Sequence, residues 1–299
     1  MSTFWVDPTS GNDANNGTSK ALAVATFAQA ETLLSNGDTL KIADGTHDVS
    51  SQAGTVIFDQ TNLTIVSENN NPTTCTLDYV DTNLSFTVYD NFTFSGVTIT
   101  RPHVDGSPKG VFSFNDASTT MNITRSYFTE YNLSATYCGL FNLSNKASVT
   151  LNVSGCVFYA PKTSTPGYTQ GVSCSGLLAG DACNINYTNC VFYAKAGQVP
   201  LNIIGARFPT NWTVLIKNCI AYAGTNVTYN ATNSEADLTV NGNSASYSYC
   251  CNYDAVGTVN VQDFADGGGN ITTDPLMVDP ENLLFQLQPT SPCIDTGGV

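Results

Sequence analysis

Hydrophobic and polar positions alternate along most of the chain, and the alternation repeats as a ten-residue segment. The segment LNVSGCVFYA at residues 151–160 returns as INYTNCVFYA at 185–194 and as VLIKNCIAYA at 214–223. Looser copies, FTFSGVTIT and MNITRSYFTE, begin at residues 92 and 121. Alternation with a period of two predicts β-strands. Equivalent positions at residues 97, 126, 156, 190, 219 and 250 are 29, 30, 34, 29 and 31 residues apart, and a repeat of this length is typical of a solenoid.

Within each copy the alternation shifts phase by one residue, which would turn the following side chains to the opposite face unless the backbone bends there. Glycine and asparagine most readily adopt the left-handed conformation that a sharp corner needs. Four copies carry one of them at the phase shift, namely Gly96, Gly155, Asn189 and Asn218. Each repeat is therefore predicted to contain a strand, a corner, a second strand and a longer return loop.

This repeat predicts an all-β fold, a right-handed parallel β-helix whose equivalent residues stack about 4.8 Å apart. The variable spacing and the lack of strict hexapeptides favour the right-handed form. Two interior ladders follow, one of cysteines and one of phenylalanines. They are Cys156, Cys190 and Cys219, and Phe128, Phe158 and Phe192. Because free cysteine packs as a small hydrophobe, most cysteines are expected to be reduced.

The two ends of the chain are predicted to differ from the coils, because an open solenoid end would expose its core. Residues 1–37 carry a strand, a loop and a short capping helix, with Thr26 as its N-cap and Gly37 as its stop. Residues 38–272 are predicted to form the coils, with long loops at 161–184, 195–213 and 224–246. Residues 273–299 are predicted to close the single domain.

Both terminal segments resemble those of one known family. The opening VDPTSGNDANNGTSKALAVATFAQAETLLSNGDTLKIADGTH resembles the start of right-handed parallel β-helix proteins of the pectin-lyase-like superfamily. The closing DPLMVDPENLLFQLQPTSPCIDTGG, at residues 274–298, is similar to the segment that often ends them. The resemblance implies the fold and leaves the function open, because the superfamily includes lyases, hydrolases, epimerases, phage tailspikes and non-catalytic adhesins.

The charge of the chain narrows the range of partners. Asp and Glu outnumber Lys and Arg by 24 to 10, giving a formal net charge of −14, which argues against nucleic acid and anionic membranes. No apolar run approaches the length of a membrane span, so membrane insertion is not expected. The first residues lack the features of a signal peptide. A virion surface would reconcile an outward-facing β-helix with the lack of a signal, so a virion or extracellular surface is the expected location.

Candidate catalytic residues are few, since the chain has three Arg and seven Lys. For a lyase, the resemblance implies a Ca²⁺ ion held by Asp or Glu beside an Arg or Lys base. Arg101 and Glu130 occupy equivalent positions one coil apart, so their Cα atoms are predicted to be about 5 Å apart. They are interpreted either as a surface ion pair or, together with His103, as a base and a metal ligand.

A second candidate site is a group of three aspartates. Asp78, Asp81 and Asp90 are close enough in sequence to share a Ca²⁺ ion if the chain folds back between them. Aspartate is also common in turns, which is the alternative interpretation. No other cofactor is expected.

A row of tyrosines is predicted on the outer side of the coils. Tyr159, Tyr193 and Tyr222 each follow the position of the phenylalanine ladder, so they point to the opposite side of the strand. Such a row is either a contact for a glycan or another subunit, or a surface that a return loop covers.

Three hypotheses for the function follow. The first is a non-enzymatic virion surface protein, such as a capsid-decoration, fibre or tail component, that contacts other virion proteins or self-associates, for example as a trimer, and binds a glycan. The second is a polysaccharide lyase or glycoside hydrolase that acts on an extracellular polysaccharide. The third is a secreted or cell-surface adhesin. The scarcity of catalytic candidates favours the first.

Overall fold

A computed structural model gives the fold of the chain. The structure describes residues 1–52, 54–80, 84–101, 103–104, 111–114, 118–129, 132–133, 140–142, 148–160, 171–173, 182–194, 201–205, 211–223, 227–233, 244–254, 259–261 and 265–294.

Three parallel sheets form the body of the molecule, and eight successive coils contribute one strand to each of them, while sheet A has two further strands. Strands are numbered β1 to β30 in chain order. Sheet A contains β1 (Thr3–Val6), β2 (Thr39–Ile42), β5 (Leu63–Ser67), β8 (Phe92–Ser95), β12 (Ser118–Thr124), β16 (Ser148–Ser154), β19 (Ala182–Thr188), β22 (Asn211–Lys217), β25 (Ser244–Ser248) and β28 (Ala265–Asp266). Sheet B contains β3 (Gly45–Asp48), β6 (Cys75–Asp78), β9 (Thr98–Thr100), β13 (Tyr127–Thr129), β17 (Val157–Ala160), β20 (Val191–Ala194), β23 (Ile220–Ala223) and β26 (Cys251–Asp254). Sheet C contains β4 (Gly54–Phe58), β7 (Leu84–Val88), β11 (Phe112–Phe114), β15 (Phe141–Asn142), β18 (Gly171–Ser173), β21 (Leu201–Gly205), β24 (Val227–Asn233) and β27 (Val259–Val261). The right-handed parallel β-helix predicted from the sequence is the fold of the chain.

The corners between sheets A and B are single residues with positive φ. The φ angle is 70° at Gly96, 62° at Gly155 and 54° at both Asn189 and Asn218. Arg125 forms the same corner with a φ of 48°. One left-handed residue redirects the chain, so the side chains on both sides of the corner keep facing the interior.

The third sheet corrects the prediction that each coil returns through a loop. Parts of the segments predicted as long loops form β18, β21 and β24 of sheet C. The first residues of these strands come 15, 11 and 8 residues after Cys156, Cys190 and Cys219, respectively. A strand that does not recur at a fixed offset leaves no repeat in the sequence, and β18 is too short for a clear alternation.

The phenylalanine ladder fills the interior of three consecutive coils. The ring centroids of Phe128 and Phe158 are 5.1 Å apart with planes inclined by 5°, and those of Phe158 and Phe192 are 5.2 Å apart with planes inclined by 9°. Tyr187 of sheet A meets Phe192 edge-on at 5.4 Å. Ala221 takes the equivalent place one coil further on. All five side chains are fully buried, so the stacked rings form a continuous core.

The cysteine ladder lies beside the corner, also in the interior. Cys156, Cys190 and Cys219 are each 1% exposed, and Cys250 continues the ladder with no exposure. Their Sγ atoms face backbone carbonyls, as Cys190 Sγ faces the Thr188 oxygen at 3.3 Å. Burial raises the pKa of the Cys156 and Cys219 thiols well above the ordinary range. The eight cysteines within the described ranges are free.

One short helix closes the N-terminal end. Helix α1 (Phe27–Leu33) begins after Thr26, whose Oγ1 accepts a hydrogen bond from the Gln29 N–H at 3.1 Å. Phe27 is fully buried and meets Phe86 of sheet C edge-on, with centroids 5.1 Å apart. The capping helix and its N-cap are therefore confirmed. Short 3-10 turns lie at Lys20–Leu22, Ser50–Gln52 and Pro280–Asn282.

Four further strands lie outside the three sheets. β10 (His103–Val104) pairs in parallel with β14 (Asn132–Leu133). β29 (Met277–Asp279) and β30 (Leu284–Leu287) form an antiparallel pair, called here the C-terminal hairpin. Among the described residues, no helix is long and apolar enough to cross a membrane.

Candidate functional site

Two aspartates and one arginine meet where the strands of sheet B end. Asp48 and Asp78 are paired residues of β3 and β6, and Arg101 follows β9 with a φ of 51°. The Arg101 Nε–H donates to Asp78 Oδ1 at 2.9 Å, and a terminal guanidinium N–H donates to Asp78 Oδ2. The Arg101 side chain is 38% exposed and that of Asp78 18%, so solvent screens the pair and its contribution to stability is about 1 kcal/mol or less.

Backbone N–H groups also bind both carboxylates. Asp78 Oδ1 accepts a hydrogen bond from the Val80 N–H at 3.1 Å, and Asp48 Oδ1 accepts one from the Ser50 N–H at 2.8 Å. The Ser50 hydroxyl and N–H lower the pKa of Asp48, with a smaller contribution from Arg101. The carboxylates of Asp48 and Asp78 therefore serve turns and an ion pair, the ordinary structural use of aspartate.

Arg101 was predicted to lie beside Glu130 of the next coil. Its described partner is Asp78 of the preceding coil, and Glu130 lies outside the described residues. His103 is described as a residue of β10, in register with Asn132. The described contacts thus pair Arg101 with Asp78, which the sequence analysis had assigned to the candidate Ca²⁺ site.

The structure describes two of the three aspartates of the predicted Ca²⁺ site. Asp78 is bound by Arg101, Asp81 lies outside the described ranges, and Asp90 stands at a tight turn before β8 with a φ of 46°. The described part of the chain contains no group of three His, Cys, Asp or Glu side chains that could hold a metal ion.

The tyrosine row is covered by the C-terminal hairpin. Tyr159 and Tyr193 are 5% and 4% exposed, and the Phe285 ring of β30 lies 6.0 Å from the first and 6.1 Å from the second. Met277 of β29 packs in the same cluster, and Tyr222 is half-exposed at its edge. With the hairpin in this position, a sugar ring has no access to the faces of Tyr159 and Tyr193.

His47 is a buried polar residue that the sequence pattern did not indicate. It is 2% exposed, and its Nε2 lies 2.7 Å from the Ala43 carbonyl oxygen. Its Nδ1 lies 2.8 Å from the hydroxyl of Thr9 and 3.7 Å from Asp7 Oδ1. The ring therefore joins the N-terminal loop to the first coil, and a single histidine in a strand gives no sequence signal for such a contact.

The outer surface of sheet A carries mainly uncharged polar side chains and is called here the polar face of sheet A. Its outward positions from β5 to β22 alternate with buried ones and lie in three columns. The columns are Thr120, Thr150, Asn184 and Thr213; Thr64, Thr93, Asn122, Asn152 and Asn186; and Ser95, Thr124, Ser154 and Thr188. The other described outward positions on these strands hold Ser148, the apolar residues Val66, Ala182 and Leu215, and the charged Lys217. Ser95 is covered and only 5% exposed. No Asp or Glu stands at an outward position of sheet A from β2 to β25.

Hydrogen bonds between neighbouring strands fix this array. Asn152 Nδ2 donates to Asn122 Oδ1 at 3.0 Å, and Asn186 Nδ2 donates to Asn152 Oδ1 at 2.9 Å. The Thr124 hydroxyl donates to Ser95 Oγ at 2.8 Å. Each amide in the ladder keeps further hydrogen-bonding capacity directed to solvent. The sequence signal for this face was the Asn and Thr residues at alternate positions of each repeat.

Comparison with known proteins adds similarities of fold. No family model matches the chain, and no curated protein matches it. Pectate lyase Pel9A is 16% identical, with a TM-score of 0.45 over 100% of this chain and 92% of that one. A rhamnogalacturonan lyase is 13% identical, with a TM-score of 0.41 over 85% and 74%. The GH136 lacto-N-biosidase from Eubacterium ramulus is 10% identical, with a TM-score of 0.35 over 91% and 68%.

The pairing of the strands is what defines the architecture. Three parallel sheets of ten, eight and eight strands are wound in successive coils, and one left-handed residue forms the corner between sheets A and B in each of six coils. The chain is therefore a parallel β-helix of three sheets.

Proposed function

We propose that the protein is a non-enzymatic surface component, of a virion or of a cell, that binds a neutral glycan along the polar face of sheet A. The observation that carries the proposal is the composition of this face. In a chain with a formal net charge of −14, the outward positions from β5 to β19, apart from Val66 and Ala182, carry hydroxyl or amide groups, and none is charged. A ligand that presents many hydroxyl groups and no charge is the chemical complement of such a surface.

The geometry of the face suits a polymer better than a single sugar. Neighbouring strands are about 4.8 Å apart, and alternate residues along a strand are about 6.7 Å apart. The eight strands from β2 to β25 therefore extend over about 34 Å. Because the asparagine ladder is already hydrogen-bonded and threonine side chains have restricted rotamers, less conformational entropy is lost on binding.

A binding experiment tests the proposal directly. The purified chain is run in native gels that contain a soluble β-glucan, xylan or galactomannan, and is cosedimented with cellulose and chitin. We expect retardation or cosedimentation with at least one of these neutral polymers, at similar strength in low and high salt, because no charge is involved. Binding that disappears in high salt, or no binding to any of the polymers, would contradict the proposal.

A charge substitution locates the binding surface. Thr150 lies half-buried in the middle of the polar face, and Thr32 is exposed on helix α1. Thr150→Glu is expected to weaken binding at least about tenfold, since a carboxylate would need desolvation against a neutral ligand. Thr32→Glu changes the net charge by the same amount and is expected to leave binding unchanged. Equal binding by both variants would place the ligand elsewhere.

The enzymatic alternative is tested in the same incubation. The specific observation in its favour is the cluster of Asp48, Asp78 and Arg101, which places two carboxylates beside a base candidate. Against it, both oxygens of Asp78 already accept hydrogen bonds from Arg101. Release of unsaturated or reducing sugar that is lost in Arg101→Ala would replace the binding proposal with a catalytic one.

A further inference from the structure

Two aromatic side chains stand at opposite ends of one outward column of sheet A. Trp5 of β1 is in register with Lys41 of β2, and the column continues strand by strand to Lys217 of β22 and Ser248 of β25. Tyr249 follows Ser248 at the corner. Nine strands separated by about 4.8 Å place the two rings about 38 Å apart, one at each end of the polar face of sheet A.

Each ring is paired with a lysine of the same column. The Lys41 Nζ lies 5.3 Å from the Trp5 ring centroid, and the Lys217 Nζ lies 5.9 Å from the Tyr249 ring centroid. Both distances are in the range of a cation–π interaction, which restricts the orientation of the ring. Each ammonium group also places N–H donors beside its ring. The same combination of an aromatic ring and a cation thus recurs at both ends of the column.

Tyr249 occupies a corner where a smaller residue would fit the backbone better. Its φ angle is 52°, and a bulky residue in the left-handed region costs free energy. Burial does not offset this cost, because the residue is 42% exposed. A Cβ added at Gly269 would lie 2.5 Å from the Tyr249 Cδ1, so a glycine leaves room for the ring. An exposed aromatic residue at a strained position indicates a role outside the core.

Trp5 is half-exposed at an outward position of the first strand of sheet A. Its N–H donates to the Gly17 carbonyl at 2.8 Å, and its carbonyl accepts a hydrogen bond from the Val24 N–H at 3.0 Å. The indole therefore projects from a fixed backbone. Tryptophan and tyrosine each combine a flat apolar face with a polar group, and the C–H groups on one face of a sugar ring pack against such a surface.

We propose that Trp5 and Tyr249 stack on two sugar rings of one glycan chain that lies along the column between them. This arrangement rests on the proposed function and defines its ligand as an extended neutral chain that runs along the solenoid axis, across the strands. Half-buried hydroxyl groups line the middle of its path at Thr124, Ser154 and Thr188. A chain that reaches both rings gains from two linked contacts, since the second contact forms within the complex that the first has made.

Hydroxyl-radical footprinting of the unmodified full chain tests both contacts at once. The chain is oxidised briefly with and without soluble β-glucan, xylan or galactomannan, whichever retards it in the native gel, and mass spectrometry measures the oxidation rate of each aromatic residue. We expect the polymer to slow the oxidation of Trp5 and Tyr249 and to leave that of the half-exposed Tyr222 of sheet B unchanged.

The outcomes separate the two proposals. If a polymer retards the chain but either Trp5 or Tyr249 is oxidised at an unchanged rate, the assignment of the two rings is wrong and the proposed function stands. If Tyr222 is protected instead, the ligand lies on sheet B. If none of the polymers binds, both the proposed function and the assignment of the rings are wrong. Because footprinting uses the wild-type chain, a variant that fails to fold does not affect this decision.

A series of oligosaccharides of increasing length, prepared from the same polymer, tests the span. Chains too short to reach both rings are expected to bind at least about tenfold more weakly than the polymer. Trp5→Ala and Tyr249→Ala are each expected to weaken polymer binding about tenfold, whereas Tyr222→Ala serves as the control and is expected to leave it unchanged. Affinity that is independent of chain length, or folded Trp5→Ala and Tyr249→Ala variants that bind like the wild-type chain, would contradict the proposal.

Discussion

Alanine substitutions at two equivalent corner glycines can distinguish the free-energy cost of a left-handed backbone from the cost of a steric clash. Gly155 and Gly96 have φ angles of 62° and 70°, so an alanine is strained at either position. A Cβ added at Gly155 meets nothing within 4 Å, whereas a Cβ added at Gly96 lies 2.5 Å from the Asn70 carbonyl carbon and 2.6 Å from its Cα. The same substitution at the two sites therefore differs mainly in available space.

The expected magnitudes follow from these two terms. A non-glycine residue in the left-handed region costs about 1–2 kcal/mol, and replacing glycine by alanine recovers about 0.4–1 kcal/mol by restricting the unfolded chain. Gly155→Ala is thus expected to destabilise by about 1 kcal/mol. Gly96→Ala adds an overpacking cost of about 1–3 kcal/mol, which the backbone atoms of Asn70 cannot relieve by a side-chain rotation, so its expected total is about 3 kcal/mol.

Urea unfolding, followed by both circular dichroism and fluorescence, measures the difference. The two probes must give coincident transitions for the free energies to be compared, because a solenoid can unfold in parts. Asn189→Gly, at a third corner of the same type, serves as a control and is expected to change stability by less than about 1 kcal/mol. Equal destabilisation by Gly155→Ala and Gly96→Ala would refute the reasoning, because the contact at Asn70 would then carry no cost.

Two further predictions concern the core and the surface charge. Phe158→Ala is expected to lower the free energy of unfolding by about 4 kcal/mol, about 1 kcal/mol more than Phe192→Ala, because Phe158 stacks on phenylalanine rings in both neighbouring coils and Phe192 on one. Urea unfolding of both variants measures the two losses. A larger loss for Phe192→Ala would contradict a stabilising role for the stacked rings. The Lys20 Nζ lies 2.5 Å from Glu68 Oε2, and this hydrogen bond lowers the pKa of Glu68 and raises that of Lys20. The stabilisation is present above the unfolded pKa of Glu, about 4.3, and below that of Lys, about 10.4. It is lost as the pH falls through the folded pKa of Glu68 or rises through that of Lys20. Glu68→Gln is therefore expected to lower the Tm at neutral pH and to flatten both limbs of a plot of Tm against pH, and unchanged limbs would contradict this.

The corners could be predicted from the sequence because their cause is local. A phase shift in the alternation and a Gly or Asn at the shift are both visible in a single repeat, and both follow from the φ angle that the corner requires. Arg125 and Tyr249, with φ angles of 48° and 52°, show that the position in the repeat determines the corner even where the residue type is unfavourable. Sheet C escaped prediction because its strands stand at a different offset in each coil.

Contacts between the coils and the C-terminal segment could not be predicted from the sequence, because they join residues far apart in the chain. The sequence placed the tyrosine row on the outer side of the strands, but it gave no means to decide what covers it. The cover is the hairpin, and its Phe285 is 126 residues from Tyr159 and 92 from Tyr193. The Asp78 partner of Arg101 escaped prediction for a related reason, since a residue in a stacked ladder has neighbours on both sides and the sequence does not rank them.

The polar face and the tyrosine row lie on different sheets, so the two surfaces that could contact a glycan are tested separately. The polar face belongs to sheet A, and the tyrosine row under the hairpin belongs to sheet B. Phe285→Ala, which removes the ring that covers Tyr159 and Tyr193, is therefore expected to leave glycan binding by sheet A unchanged. If Phe285→Ala instead creates binding that Tyr159→Ala abolishes and Thr150→Glu does not, the glycan contact is the tyrosine row itself and the hairpin is its cover.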